Sequence, residues 1–156
     1  MNNERYTRGS LRLAEVDGEG GRHVIDALKD VAPDLARYVI EFGFGDVYSR
    51  PGLELRTREL ATVAGLVALG HAQPQLRVHV NGALNVGCTP AEIVEVIIQM
   101  ALYAGFPAAL NAAFTAKQVF AERGVSPLSQ ANTSSARSMP PLVIDSIACS
   151  STAGFG

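Results

Sequence analysis

Residues 74–105, PQLRVHVNGALNVGCTPAEIVEVIIQMALYAG, decide the fold. At helical spacing Leu76, His79, Val80, Ala83, Leu84 and Gly87 share one face, so a histidine points inward from an apolar stripe. Gly87 ends that helix. Thr89, Pro90 and Glu92 begin the next, with Thr89 as N-cap, Pro90 in a first turn that has no use for its missing N–H, and Glu92 placed to complete a capping box. From Ile93 to Leu102 the second helix is apolar over most of its circumference, leaving Glu92, Glu95 and Gln99 as a polar strip. Such a helix in so small a chain implies burial against a partner subunit. The inward histidine has two readings, a core residue satisfied by hydrogen bonds or a group with chemical work to do.

Upstream, residues 57–69 read as a helix with Leu60, Val63, Ala64 and Val67 inward and with Ala61, Gly65 and Ala68 allowing close approach; Gly70 ends it. The histidine helix follows over 75–86. Downstream, Pro107 opens a helix that runs to Arg123 and is closed by Gly124. Nearer the start, a short helix is expected over 22–29. Another, led by Pro33, is expected over 34–44, with Leu35, Tyr38, Val39 and Phe42 on its stripe. FGFGDVYSRPG is then a turn-rich connection. No strand pattern outweighs these helices. The fold class is all-α, a bundle of about six helices over residues 22–125. Residues 1–21, polar and containing GEGG, read as a flexible arm, and the Ser/Pro-rich 126–156 as a disordered or extended tail.

A chain of 156 residues, 47% hydrophobic, is ample for one core. The formal charge of -2 and the scattered basic residues exclude a nucleic-acid surface. MNNERYTRGS lacks the apolar stretch of a secretion signal, so a cytoplasmic protein is expected. The apolar run 93–110 contains Glu95 and Gln99 and is broken at Gly105 and Pro107, which argues against a membrane span. Cys88 and Cys149 lie far apart with no second cysteine at metal or redox spacing. There is no phosphate loop, no G-x-S-x-G elbow and no paired-histidine metal motif. Chemistry without metal or cofactor is the expectation.

Glu59 and His79 stand on neighbouring helices joined by the turn at Gly70, and an antiparallel pairing would put the carboxylate beside the imidazole. A carboxylate there orients the ring and stabilises its charged form, as proton transfer requires. Glu59 also stands early in its helix, where a negative charge is favourable for structural reasons alone. Arg50, Arg56, Arg58 and Arg77 offer guanidinium forks suited to carboxylates. Arg56 and Arg77 read better as surface salt bridges. Arg50, in SRPG beside a rigid turn, is placed to stand at a pocket mouth; with Arg58 and the Tyr48 hydroxyl it makes the expected substrate-holding set. Tyr103 is a further hydroxyl. Cys88, near a helix N-terminus but with no adjacent base, reads as a small buried hydrophobe.

The blocks VYSRPGLELRTRELATVAGLVALG, QLRVHV and GALNVGCTPAEIVEVIIQMALYAGFPAALNAAF resemble the carboxymuconolactone decarboxylase family, in order, from about Asp34 to Gly124. The peroxidase relatives of that AhpD-like superfamily carry a Cys-x-x-Cys pair ahead of the histidine. Here Ala72 and Gln75 hold the matching positions, so dithiol peroxide chemistry is excluded. The resemblance implies compact helical subunits in a ring-shaped homo-oligomer, a hexamer or trimer, with the site between helices near subunit contacts. It also implies loss of carbon dioxide from a carboxylated lactone in aromatic-compound breakdown. His79 would be the general acid, Glu59 its orienting partner, and Arg50 a holder of substrate carboxylate. The chain departs from the narrow decarboxylase pattern in having no tryptophan, in placing Glu59 where a small polar residue is usual, and in using PQL as the lead into the histidine helix. Those departures point to a related but different substrate. Isomerisation, cyclisation or dehydration of a lactone or enol, and a non-catalytic binding role, are the alternatives.

Overall fold

The computed structural model describes residues 4–128, and these form seven α-helices, one π-helical segment and no strand. In order they are α1 (Glu4–Val16), α2 (Gly18–Leu28), α3 (Pro33–Tyr38), the π-helix π1 (Val39–Val47), α4 (Leu55–Leu69), α5 (Gln73–Asn85), α6 (Pro90–Ala104) and α7 (Phe106–Arg123). The helix beginnings and ends follow the chain's punctuation. Thr89 and Glu92 form the complete capping box at the head of α6, with both reciprocal hydrogen bonds present. At the foot of α5, Gly87 has φ +90° and the Cys88 N–H reaches back to Ala83 O at 2.8 Å, which satisfies a carbonyl the helix itself leaves open. Gly124, with φ +64°, closes α7 in the same way.

Residues 4–21, within the segment 1–21 expected as a flexible arm, are instead largely helical. Glu4–Val16 makes α1, Gly18 opens α2, and the bundle thereby gains a seventh helix. Gly9, Leu13 and Val16 repeat at helical spacing and are buried, so the segment has an apolar stripe beneath its polar composition. Gly9 is where α1 lies against π1: a Cβ there would stand 2.0 Å from the Ile40 carbonyl oxygen. Residues 129–156, the greater part of the expected tail, lie outside the described residues.

The expected helix 34–44 also differs. It begins at Pro33, but after Tyr38 the chain continues in wider π-helical turns. The π-helical turns, which hold Gly43 and Gly45, bring Ile40 and Phe44 inward beside Ala36; of the expected stripe Val39 is half-buried against that cluster, whereas Leu35, Tyr38 and Phe42 are more than half exposed.

The buried residues fall into two clusters. One joins α4, α5, α6 and α7 through residues such as Val63, Leu76, Ile93 and Val119. The other joins α1, α2, α3 and π1 through Leu13, Val16, Ile25, Ile40 and Phe44. Val86 packs against both. The histidine helix α5 lies along the seam between them, and that position builds the site. Among the described residues no helix is long and apolar enough to cross a membrane.

Candidate active site

Gly70, with φ +73°, turns the chain between α4 and α5 and sets the two helices side by side. Glu59 projects from α4 into the interior and is fully buried. His79 comes from the middle of α5. Its Nδ1 lies 3.1 Å from Glu59 Oε2 and 3.3 Å from Oε1, so the expected carboxylate–imidazole pair is formed. Tyr48, delivered by the end of π1 and stacked near Phe44, donates its hydroxyl hydrogen to Glu59 Oε1 at 2.7 Å. The Thr62 hydroxyl completes the chain, 2.7 Å from the Tyr48 oxygen. Burial, then the charge of Glu59, pushes the Tyr48 hydroxyl well above its ordinary pKa, so it stays a donor across the usable pH range.

Asp17 is the third ionisable group here, and the sequence reading did not include it. It sits at the junction of α1 and α2, held by its own N–H to Leu13 O at 2.8 Å, and is 6% exposed. Its Oδ1 has no hydrogen-bond partner among the described residues and stands 3.8 Å from His79 Nδ1. Burial is the largest influence on this carboxyl and Glu59 adds to it, while His79 opposes them; the result is a pKa pushed up to about 6. For His79, burial by itself would favour the neutral ring. The hydrogen bond that the ring donates to Glu59 and the charges of Glu59 and Asp17 outweigh it, and the pKa is raised.

With Nδ1 committed to Glu59, Nε2 of His79 has no protein partner among the described residues. The ring is one-fifth exposed and forms part of the wall of a cavity of about 330 Å³ between α2 and α5. Leu13, Val24, Ile25, Val39, Phe44 and Val78 make the wall mostly apolar; Asp17, Gln75 and His79 are its polar members. Among the described residues no lysine or arginine lines it.

Of the expected substrate-holding set, none is placed as anticipated. Tyr48 reaches Glu59 and Thr62 rather than the cavity. Arg58 spends its guanidinium on the carbonyls of Leu53 and Arg50, at 3.2 and 3.0 Å, bracing the SRPG turn. Arg50 is exposed on that turn and is absent from the cavity wall. Arg56 and Arg77 make the expected salt bridges, with Glu92 and Glu122. Tyr103 is 73% exposed. Cys88 is buried, donates to Arg56 O, and has a thiol pushed up to about 11 by burial, which makes it a poor nucleophile. Asp17, Glu59 and His79 are also a group able to hold a metal ion by composition and spacing, their ligand atoms lying within 4.8 Å of one another. In the geometry found, Nδ1 is bonded to the carboxylate, as in a proton-transfer pair.

A histidine whose Nδ1 is anchored by a buried carboxylate and whose ring forms part of a mostly apolar cavity wall is the candidate site on this all-helical scaffold. The family comparison gives that site its class. Residues 33–118 match the model of the carboxymuconolactone decarboxylase family, and the chain belongs to that family. It is 40% identical to a 4-carboxymuconolactone decarboxylase of Acinetobacter baylyi, over 81% of this chain and 96% of that protein. It is 38% identical to an uncharacterized 15.0 kDa protein of Paracoccus denitrificans, over 62% of this chain and 72% of that one. It is 34% identical to the nitrosuccinic acid decarboxylase of Metarhizium robertsii, over 60% of this chain and 66% of that one. The chain is thus an enzyme of the carboxy-lyase class.

Proposed function

We propose that the chain is a cofactor-independent decarboxylase of the 4-carboxymuconolactone decarboxylase type, with His79 as general acid and Glu59 as the group that orients and charges it. The observation that carries this reading is the single-sided anchoring of His79: Nδ1 is tied to Glu59 while the ring forms part of the cavity wall. A carboxylated lactone bound there loses carbon dioxide by heterolysis of its C–C bond. The electron pair passes into the lactone carbonyl system. His79 Nε2 then delivers its proton to the carbon alpha to that carbonyl, the lactone double bond moves to the carbon that held the carboxylate, and the neutral imidazole takes a proton back from water. The apolar wall favours this step, because a charge localised on the departing carboxylate is poorly solvated there and the transition state spreads it.

The reading extends to a ring-shaped homo-oligomer, hexamer or trimer, working in the cytoplasm. Its support is the apolar surface of α6 and α7, where Ile98, Leu102, Tyr103, Phe106, Leu110 and Phe114 are each more than half exposed.

A second reading concerns the substrate. Among the described residues the cavity wall has no lysine or arginine to hold a second carboxylate, and the chain is similar to a nitrosuccinic acid decarboxylase. A carboxylate activated by some other electron-withdrawing group is the competitor to the lactone.

The test is incubation of the purified protein with 4-carboxymuconolactone, following carbon dioxide release, beside His79→Ala. Turnover abolished in a folded His79→Ala protein is expected. Full turnover in that variant would remove the mechanism, and no turnover by the unaltered protein would move the assignment to the second substrate class.

A further inference from the structure

Asp17 is a buried acid that the reaction above does not use. Its Oδ1 is closed off from solvent and from every hydrogen-bond donor, yet it lies 3.8 Å from the same ring nitrogen that Glu59 holds. The space it occupies exists because residue 82 is glycine. A Cβ there would stand 2.8 Å from Asp17 Oδ1 and 2.9 Å from Glu59 Oε2, so two carboxylate oxygens converge where a side chain would otherwise be. Leu13 and Val16 pack in the same cluster, and an apolar residue at position 17 would suit them better.

We infer that Asp17 is a positioning residue for the acid: together with Glu59 it forms a two-carboxylate clamp on the Nδ1 side of His79 that keeps the imidazole charged and sets the pH range in which the site can release a proton. This rests on the reading of His79 as the acid. The separation is too long for a good hydrogen bond, so the effect of Asp17 is coulombic, and the buried setting keeps it unscreened.

The other charges around α5 leave the clamp to these three groups. Glu59 comes from α4, and Tyr48 beside it stays a neutral donor. On α5 itself Arg77 is paired with Glu122 of α7, while Arg123 of α7 bonds Asn85. Glu92 of α6 is held by Arg56, and Glu95 is exposed. Glu19, Arg22, His23 and Asp26 of α2 are exposed, as is Lys117 of α7. Asp17 itself titrates near 6, pushed there mainly by burial. As pH rises through that value it gains the charge that tightens the hold of His79 on its proton, so the groups titrate as a set.

The experiment follows the His79 ring by NMR through a pH titration of the full chain, with chelator present so that no cation occupies the three side chains. The His79 signal is assigned by its loss in His79→Gln. Asp17→Asn, nearly isosteric, should lower the His79 midpoint by about one pH unit, a tenfold fall in proton affinity. Asp17→Ala should move it in the same direction. In the turnover assay the alkaline limb of the rate profile should shift downward equally in Asp17→Asn, with KM little changed. An unmoved midpoint in a folded Asp17→Asn protein overturns the clamp, whatever the turnover. A lowered midpoint in a protein that releases no carbon dioxide supports the clamp and counts against the assigned reaction alone.

Discussion

At Asp17 a carboxyl group is enclosed beside Leu13, Val16 and Gly21, and burial raises its pKa to about 6 from an ordinary 3.8. A raised carboxyl pKa costs the fold stability on the alkaline side. The folded chain holds the proton more tightly than the unfolded one, so stability is fully present below the unfolded value and is lost as pH rises through the folded one. At about 1.4 kcal/mol per unit, the loss above pH 6 is about 3 kcal/mol. Asp17→Asn should therefore be more stable than the parent by up to about 3 kcal/mol at pH 8, and level with it near pH 4. Urea unfolding at the two pH values measures this, and a variant less stable at pH 8 would contradict the burial argument. Asp17 was hidden in the sequence because it falls in a polar, glycine-rich stretch, and nothing local marks an acid that will face a histidine sixty-odd residues away. Glu59 and His79 were legible because a short turn at Gly70 fixes their helices as neighbours. The exposed place of Arg50 was not legible, because a rigid turn fixes a backbone but does not say which side of the molecule its side chain will face.

Among the elements, α1 and π1 meet most closely. A Cβ on Gly9 would stand 2.0 Å from Ile40 O, and one on Gly45 would stand 2.6 Å from Arg5 O, so both glycines serve a backbone-to-backbone contact. Both obstacles are backbone, which cannot swing aside. Gly9→Ala should cost at least about 2 kcal/mol even though alanine is the better helix former. A denaturation midpoint unchanged by Gly9→Ala would contradict this packing. The capping box of α6 was readable because three adjacent residues define it. The π-helix was not. Its turns hold about one residue more than an α-helical reading assumes, so spacing at 3.6 residues per turn does not carry past Tyr38, and Phe42 falls outside while Ile40 and Phe44 fall inside.

The whole molecule is two helical clusters with the acid–base group on the seam. Asp17 comes from the N-terminal cluster, and Glu59 and His79 come from elements of the other. That division explains what was legible: Gly70 and Gly124 close α4 and α7, and Thr89 with Glu92 opens α6, whereas the N-terminal cluster rests on close glycine contacts and on a stripe set in a polar, glycine-rich stretch. It also leaves a broad apolar face outside. Leu102 is 78% exposed and Phe106 73% exposed, and neither contributes to either core cluster. Leu102→Glu should leave the subunit fold intact and reduce the assembly to smaller species in sedimentation velocity, with the unaltered chain sedimenting as an oligomer. An unaltered chain that sediments as a monomer would contradict the assembly. The central claim concerns chemistry at the seam, and the most direct measurement is decarboxylation of 4-carboxymuconolactone in heavy water by the unaltered protein and by His79→Gln. The account predicts carbon dioxide release with one deuterium placed on the carbon alpha to the lactone carbonyl, and loss of that turnover in the variant. A folded His79→Gln protein that decarboxylates at the full rate would contradict it.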